Sequence, residues 1–405
     1  MIIQRGRIYH PIHSSIKYFF WSLFKKENSR DVELFEKNFA SYNNLKFCTA
    51  FPFARSAFYA LLKSQNISKG DEVILPPITI KGMLDVVNII GATPIIVDIS
   101  KNDLSFNRSE LKKKISSKTK AILFTPLFGI CPEINDFDFI LNDRKDILKI
   151  IDFSQALNCE YKKNKLSSFF DVAIYSASSI KTLDTLGGGF LLTNNKKLFD
   201  SIIKIKDYIF IYKSRSFLVK KSLINLSRNI ITSNIFFKVI TFNIIKLFYY
   251  INPKLVLKQT GDRPSKVLKK IPKLWLTKYS SIQGQIGMEQ LLKVNYYDFK
   301  RIQIAEEIIN KTNFLFPDRN KLKKNIYWQL VTYVEDISIA QEFFLKRGVD
   351  IATSSLLLIS HIIGTKTPVA EKIYLNGMLI PCFPSLNKMQ ISYITRIMNE
   401  FSQKS

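Results

Sequence analysis

Cysteine is scarce in this sequence: 405 residues contain four, Cys48, Cys131, Cys159 and Cys382, with no paired spacing. That excludes a disulfide framework and a thiolate zinc site, and it fits a chain kept reduced in the cytoplasm. Cys159 reads as a small buried residue rather than a nucleophile. Histidine is scarcer still, at three. Only His10-Pro11-Ile12-His13 has a spacing that a metal ion would use; with no acidic residue nearby to complete a ligand set, no metal is expected. The N-terminus also lacks the long apolar run of a signal peptide, because Met1-Ile2-Ile3-Gln4-Arg5 leads directly into mixed sequence.

Acidic residues are the remaining shortage. Asp and Glu number 33 against 60 Lys and Arg, a formal charge of +27. The deficit is uneven: between Asp207 and Asp262 there is no acidic side chain, against nine Lys and Arg. Nucleic acid is one partner that such charge attracts, but no nucleic-acid-binding module is recognisable and none is expected.

What is present is a core and an alternating pattern. Hydrophobic residues make up 46% of the chain, and a chain of this length can form one large domain and a smaller one. Short apolar runs at Val73–Leu75, Pro94–Val97, Ala121–Thr125, Leu148–Asp152, Val172–Tyr175 and Phe190–Thr193 alternate with helix-like segments at Ala57–Lys63, Met83–Ile90 and Leu111–Ile115. Strands apolar on both sides and separated by helices predict an α/β fold, with a mainly parallel sheet covered on both faces. After about residue 280 the pattern turns helical, then offers Ile326–Tyr333 as a strand and Ile337–Arg347 as a helix. The predicted division is 1–207 for the large domain, 208–261 for a basic, apolar helical insert and 262–405 for a smaller α+β C-terminal domain.

The chemistry centres on Lys181. Tyr175-Ser176-Ala177-Ser178-Ser179-Ile180-Lys181 closes a predicted strand, and Gly187-Gly188-Gly189 precedes the next one. Upstream, Ile150-Ile151-Asp152-Phe153-Ser154-Gln155-Ala156 delivers a carboxylate at the end of an apolar strand. In such sheets ligands sit beyond the carboxyl ends of the strands. A lysine, a strand-end acid and a small hydroxyl at these separations suit pyridoxal 5'-phosphate. The lysine would bind it as a Schiff base, Asp152 would hold the pyridinium nitrogen protonated, and Ser176 would donate to the phosphate. Gln155 would lie at the ring edge near the phenolic oxygen. Ser56 and the backbone amides around Arg55 open a helix, whose start favours an anion. The glycine triplet reads as shaping the turn after the lysine. For most of these positions an ordinary surface or capping role is the alternative; the ordered set, not any single residue, carries the reading.

The set resembles the DegT/StrS-type sugar aminotransferases, over roughly residues 30–395 with one long interruption. Ala54-Arg55-Ser56-Ala57-Phe58 stands where that family has a Gly-Thr-Ala-Ala-Leu-like turn, followed by Gly70-Asp71-Glu72-Val73 and Gly91-Ala92-Thr93-Pro94. Asp152-Phe153-Ser154-Gln155-Ala156 matches Asp-x-x-Gln-Ala, and Tyr175-Ser176 with Lys181 matches Phe-Ser-Phe-x-x-x-Lys. The resemblance implies a fold-type I transferase working as a homodimer with sites at the interface. It would move an amino group, expected from glutamate, onto a nucleotide-linked keto sugar for cell-surface glycan biosynthesis. Retention of Lys181 argues against the family's dehydratases, which carry histidine there.

Three departures alter this expectation. Ile80 stands where the family places an aromatic residue over the ring, so it covers that face only by apolar contact. Leu276 stands where an asparagine would reach a neighbouring subunit's phosphate, leaving Lys273 or Lys278 to compensate. The family's His-Tyr-Pro is absent after Arg347-Gly348-Val349, where Ile351-Ala352-Thr353-Ser354-Ser355-Leu356 appears instead, with His361 further on. An altered acceptor pocket leaves open a lipid-linked sugar or a non-sugar ketone, or a non-catalytic, membrane-associated relative.

The interruption coincides with the acid-free segment. Ile230–Ile251 is largely apolar apart from Asn234, Lys238, Thr241 and Lys246. A basic helix with a broad apolar and aromatic face suits an anionic membrane surface, at the inner face of the membrane. A full span is disfavoured by Lys238, Asn243 and Lys246; packing on the large domain or on a second subunit is the alternative.

Overall fold

The computed structural model describes residues 1–252, 266–317, 320–353 and 356–403. The tail of the predicted insert, 253–261, and Ser354 and Ser355 lie outside the described residues.

The chain opens with helices α1 (Ile12–Phe24) and α2 (Arg30–Tyr42), then strand β1 (Phe47–Phe51) and helix α3 (Ala54–Ser64). Next come β2 (Glu72–Leu75), β3 (Ile78–Thr79), α4 (Lys81–Ile89), β4 (Thr93–Ile96), α5 (Arg108–Lys114), β5 (Thr119–Phe124), α6 (Ile134–Ile140) and β6 (Leu148–Asp152). The short strands β7 (Glu160–Tyr161) and β8 (Asn164–Lys165) lead to β9 (Val172–Ser176), β10 (Gly189–Thr193), α7 (Lys196–Ile209) and α8 (Arg215–Ile231). The main sheet has seven strands in the order β1-β10-β9-β6-β5-β2-β4. β9, β6, β5, β2 and β4 run parallel; β10 lies antiparallel beside β9, and edge strand β1, antiparallel to β10, runs with the others again.

Successive side chains of a strand point to opposite faces, and both faces here are dry. Ile151, Ile122 and Ile74 join one buried cluster with Phe35 and Phe39 of α2. Ile150, Leu123 and Val73 join another with Phe58, Leu61 and Leu62 of α3. The strands therefore read as continuous apolar runs. The C-terminal part joins a further core, in which Leu330 and Val331 cluster with Phe344, Met398 and Phe401 and with Ile78, Ile99 and Phe128 from the sheet-bearing part. Ile3 belongs to this second core, and the N-terminal segment pairs there with Val349.

The predicted strand Ile326–Tyr333 is shorter, Leu330–Tyr333. Tyr327 has φ +45°, a left-handed turn that a strand cannot contain. The predicted helix Ile230–Ile251 is likewise two pieces, since α8 ends at Ile231 and a new helix runs from Asn234 to Ile251.

The two helices sit in different places. α8 buries a polar stripe, Ser222, Asn225 and Asn229, against α1. Asn229 Nδ2 donates to the His10 carbonyl and the Ser15 hydroxyl, both at 2.9 Å, and Ser222 meets Ser22 at 2.8 Å. The Asn234–Ile251 helix instead seats Phe237, Phe242 and Ile245 on Leu345 and Ile2.

Candidate active site

Two parallel strands end at the site: β6 delivers Asp152 and β9 delivers Ser176. Asp152 is buried, and its Oδ1 accepts from the Ser154 N–H at 3.0 Å and from the Ser154 hydroxyl. The same hydroxyl oxygen accepts from the Ser176 N–H at 2.8 Å. One serine thus joins the two strand ends and orients the carboxylate. Burial pushes the Asp152 carboxyl up, while the Ser154 hydrogen bonds and the Lys181 charge pull against it.

Lys181 is buried as well, at 8% exposure. Burial lowers its ammonium from 10.5 to about 8, opposed by the Asp152 charge. Its Nζ lies 3.8 Å from the centre of the Trp328 ring, where the electron-rich face attracts a cation. Trp328 Nε1 donates to the Ile180 carbonyl at 3.1 Å, so the indole both covers the lysine and is fixed to its backbone.

The loop bearing Lys181 is held from several sides. Thr182 Oγ1 donates to Asp298 at 3.3 Å and accepts from Arg301 at 3.1 Å; Arg301, fully buried, also pairs with Asp298. Asp184 Oδ1 accepts from the Leu186 N–H at 2.8 Å and Oδ2 from Asn225 of α8 at 2.6 Å. His10 Nε2 lies 3.0 Å from Asn225 Oδ1, and His10 Nδ1 lies 3.9 Å from Asp184. Gly187 and Gly188 have φ +109° and +120°, which a side chain would resist. A Cβ at Gly189 would fall 2.1 Å from the Phe53 carbonyl carbon. The glycines therefore let this loop close directly onto the start of α3.

No side chain caps α3, so its first amides remain suited to an anion. The Ser56 hydroxyl does not serve there: it is buried and donates to the Trp275 carbonyl at 2.7 Å. Its expected phosphate contact is replaced by a tie to the Lys273–Leu276 turn. Arg55 lies between two rings, its guanidinium carbon 4.4 Å from the centre of Phe53 and 4.6 Å from that of Trp275. Its aliphatic part crosses Gly82, where a Cβ would sit 2.6 Å from Arg55 Cδ. Gln155 Oε1 accepts from the Phe128 N–H at 2.7 Å, which leaves its amide nitrogen as the donor. Ile80 caps α4 and packs on the α3-side core, and neighbouring β3 pairs with Leu357–Leu358. Lys273 lies over Tyr212, 4.5 Å from the ring centre, and His361 is exposed and pairs with Glu371 at 3.2 Å.

Residues 24–220 match the family model of the DegT/DnrJ/EryC1/StrS aminotransferase family. Over those residues, just under half of the chain, it is similar to this family. Over 380 residues it is 24% identical to the GDP-perosamine synthase of Escherichia coli O157:H7, covering 91% of this chain and 90% of that one. It is 34% identical to the GDP-perosamine synthase of Caulobacter vibrioides over 171 residues, 42% of this chain and 45% of that one. An aminotransferase structure from Psychrobacter cryohalolentis superposes with a TM-score of 0.74 at 18% identity, covering 96% of this chain and 97% of that one. The pyridoxal phosphate form of a Streptococcus pneumoniae protein described as a sugar aminotransferase gives 0.74 at 17%, covering 100% and 99%. Both likenesses establish the fold.

In this aminotransferase the residues present suit pyridoxal phosphate in kind. A buried acid can face a ring nitrogen, a buried amine of lowered basicity can meet an aldehyde, and the uncapped helix start with Arg55 beside it can face a phosphate. Sequence reasoning singled out Lys181, Asp152, Gln155, Ser176, Arg55, Ser56 and Ile80. It missed Ser154, although Ser154 stands inside the acid's own motif, and it missed Trp328, which was read as part of a strand. Arg301 pairs locally with Asp298, but its tie to the lysine loop runs to Thr182, 119 residues away, and left no signal in the sequence.

Proposed function

We propose that this enzyme uses pyridoxal 5'-phosphate to move an amino group, taken from an amino acid such as glutamate, onto a nucleotide-linked keto sugar destined for a cell-surface glycan. The observation that carries this is the buried pair at the sheet's carboxyl edge: Lys181 with its amine brought to about 8, and Asp152 oriented by Ser154. The cofactor supplies the electron sink when bound. Lys181 would hold it and, as a free amine, would carry the proton at the reacting substrate carbon. Asp152 would keep the ring nitrogen protonated, Gln155 would donate to the ring through its amide nitrogen, and Ile80 would pack against it. Ser176, the amides at the start of α3 and the Arg55 guanidinium would hold the phosphate. Trp328, set over Nζ, excludes water from the amine.

The relatives described as GDP-perosamine synthases support a nucleotide-linked acceptor. An acceptor carried on a lipid is the second reading, favoured by the exposed apolar helix Asn234–Ile251. We take the working unit to be a homodimer, placed peripherally at the cytoplasmic face of the membrane through residues 208–261.

Purified protein given cofactor should develop a visible band that glutamate bleaches with release of 2-oxoglutarate, and a panel of nucleotide-linked keto sugars should restore it. Asp152→Asn should retain the cofactor but lose rate by at least about a hundredfold, since a neutral amide does not hold the nitrogen protonated. Unchanged turnover in that variant removes Asp152 from the mechanism.

A further inference from the structure

The Asn234–Ile251 helix is long and apolar enough to cross a membrane, and only 17% of its residues are buried. Its packed side argues against a crossing. Phe237, Phe242 and Ile245 are buried against Leu345 and Ile2, so one flank is occupied by protein. Phe237 and Phe242 are five residues apart, which in a regular α-helix separates them by about 140°. The π turn at Phe237–Thr241 widens that stretch and returns both rings to the packed side. The remaining circumference carries Ile235, Val239, Ile244, Leu247, Phe248 and Ile251, all exposed. Soluble surfaces rarely present so many large apolar groups along one helix.

Charge indicates what covers them. Lys238 directly follows the buried Phe237, and Lys246 reaches back over the Phe242 ring, 5.1 Å from its centre. Each lysine therefore stands where packed and open faces meet, in position to extend its charged end along a headgroup layer. Tyr250 is exposed at the C-terminal end, a residue type suited to a membrane–water boundary. The sequence from Asp207 to Asp262 supplies nine cations and no anion between those two residues.

We propose that the open face of the Asn234–Ile251 helix docks flat on an anionic lipid bilayer, sunk to the depth of its Val239 and Leu247 side chains, with the catalytic domain held above the headgroups. This rests on the peripheral location proposed above and is independent of the transamination chemistry. It places the product near membrane-bound machinery that would consume an activated amino sugar.

The test is sedimentation of the full-length protein with vesicles of phosphatidylcholine alone or mixed with phosphatidylglycerol. Binding should require the anionic lipid and fall as salt rises. Lys238→Glu with Lys246→Glu should weaken partitioning by about tenfold or more, and Val239→Asp with Leu247→Asp should abolish it. Both variants should keep the wild-type melting curve and visible cofactor band. If the wild type binds anionic vesicles and Val239→Asp with Leu247→Asp binds equally well, the location stands but this face is refuted. If the wild type stays in the supernatant with every vesicle at low salt, both are refuted. If Val239→Asp with Leu247→Asp instead halves the particle mass measured by light scattering, the face belongs to a second copy of the chain and the lipid proposal falls.

Discussion

Lys181 pays for its reactivity in stability. A base whose folded value is lowered binds fewer protons in the native state than in the unfolded one. Between about 8 and 10.5 stability therefore rises with pH, and below about 8 the full penalty applies, about 3 kcal/mol from the size of the shift. Lys181→Met should accordingly raise the cofactor-free protein's stability at pH 7 by up to about 3 kcal/mol while abolishing covalent capture of the cofactor. Urea unfolding at pH 7 and near pH 10.5 checks this, since the gain should vanish at the higher pH. In the wild type, the rate of cofactor capture should rise through about pH 8 rather than pH 10.5. Lys181 and Asp152 were legible in the sequence because strand-end chemistry is local: each lies at or just beyond an apolar run that announces itself. Trp328 and Arg301 were not, because what matters about them is contact with Ile180 and Thr182 across more than a hundred residues.

Among the elements, α8 departs furthest from its appearance. Its sequence places it within one basic, apolar insert, yet it packs through Ser222, Asn225 and Asn229. No hydropathy pattern identifies buried amides as an inward face, so the stripe was unreadable. Six of the seven sheet strands were readable to within a residue or two because both their faces are buried, while edge strand β1, Phe47–Phe51, was missed. Asn225 links His10 to Asp184 in the lysine loop, so Asn225→Leu should remove a shared partner from two buried groups. We expect a loss of about 1–3 kcal/mol by urea unfolding, with weaker cofactor retention. Asn225→Asp should be worse at neutral pH, since it sets a second carboxylate against buried Asp184, and should recover part of the loss as acid protonates the pair. Equal stability of Asn225→Leu and wild type would show that the stripe contributes only surface complementarity.

At the scale of the whole molecule, the first ten residues are tied to distant parts of the chain. Gln4 donates to the Thr232 carbonyl at 3.2 Å, 228 positions away, and Arg5 pairs with Asp350 across 345. Tyr9 accepts from Arg301, a separation of 292. During synthesis Gln4, Arg5 and Tyr9 emerge long before these partners, so the contacts close late, each after a long loop has been ordered. A ribosome-released chain ending near residue 320 would contain every strand of the main sheet, but Arg5 would lack Asp350 and Ile3 would lack Val349. Such a fragment should lose its N-terminus to dilute protease and should fail to retain cofactor, both measurable beside the full chain. Cofactor uptake would then report that synthesis has passed Asp350, so the prosthetic group would not be committed to a chain still lacking that tie.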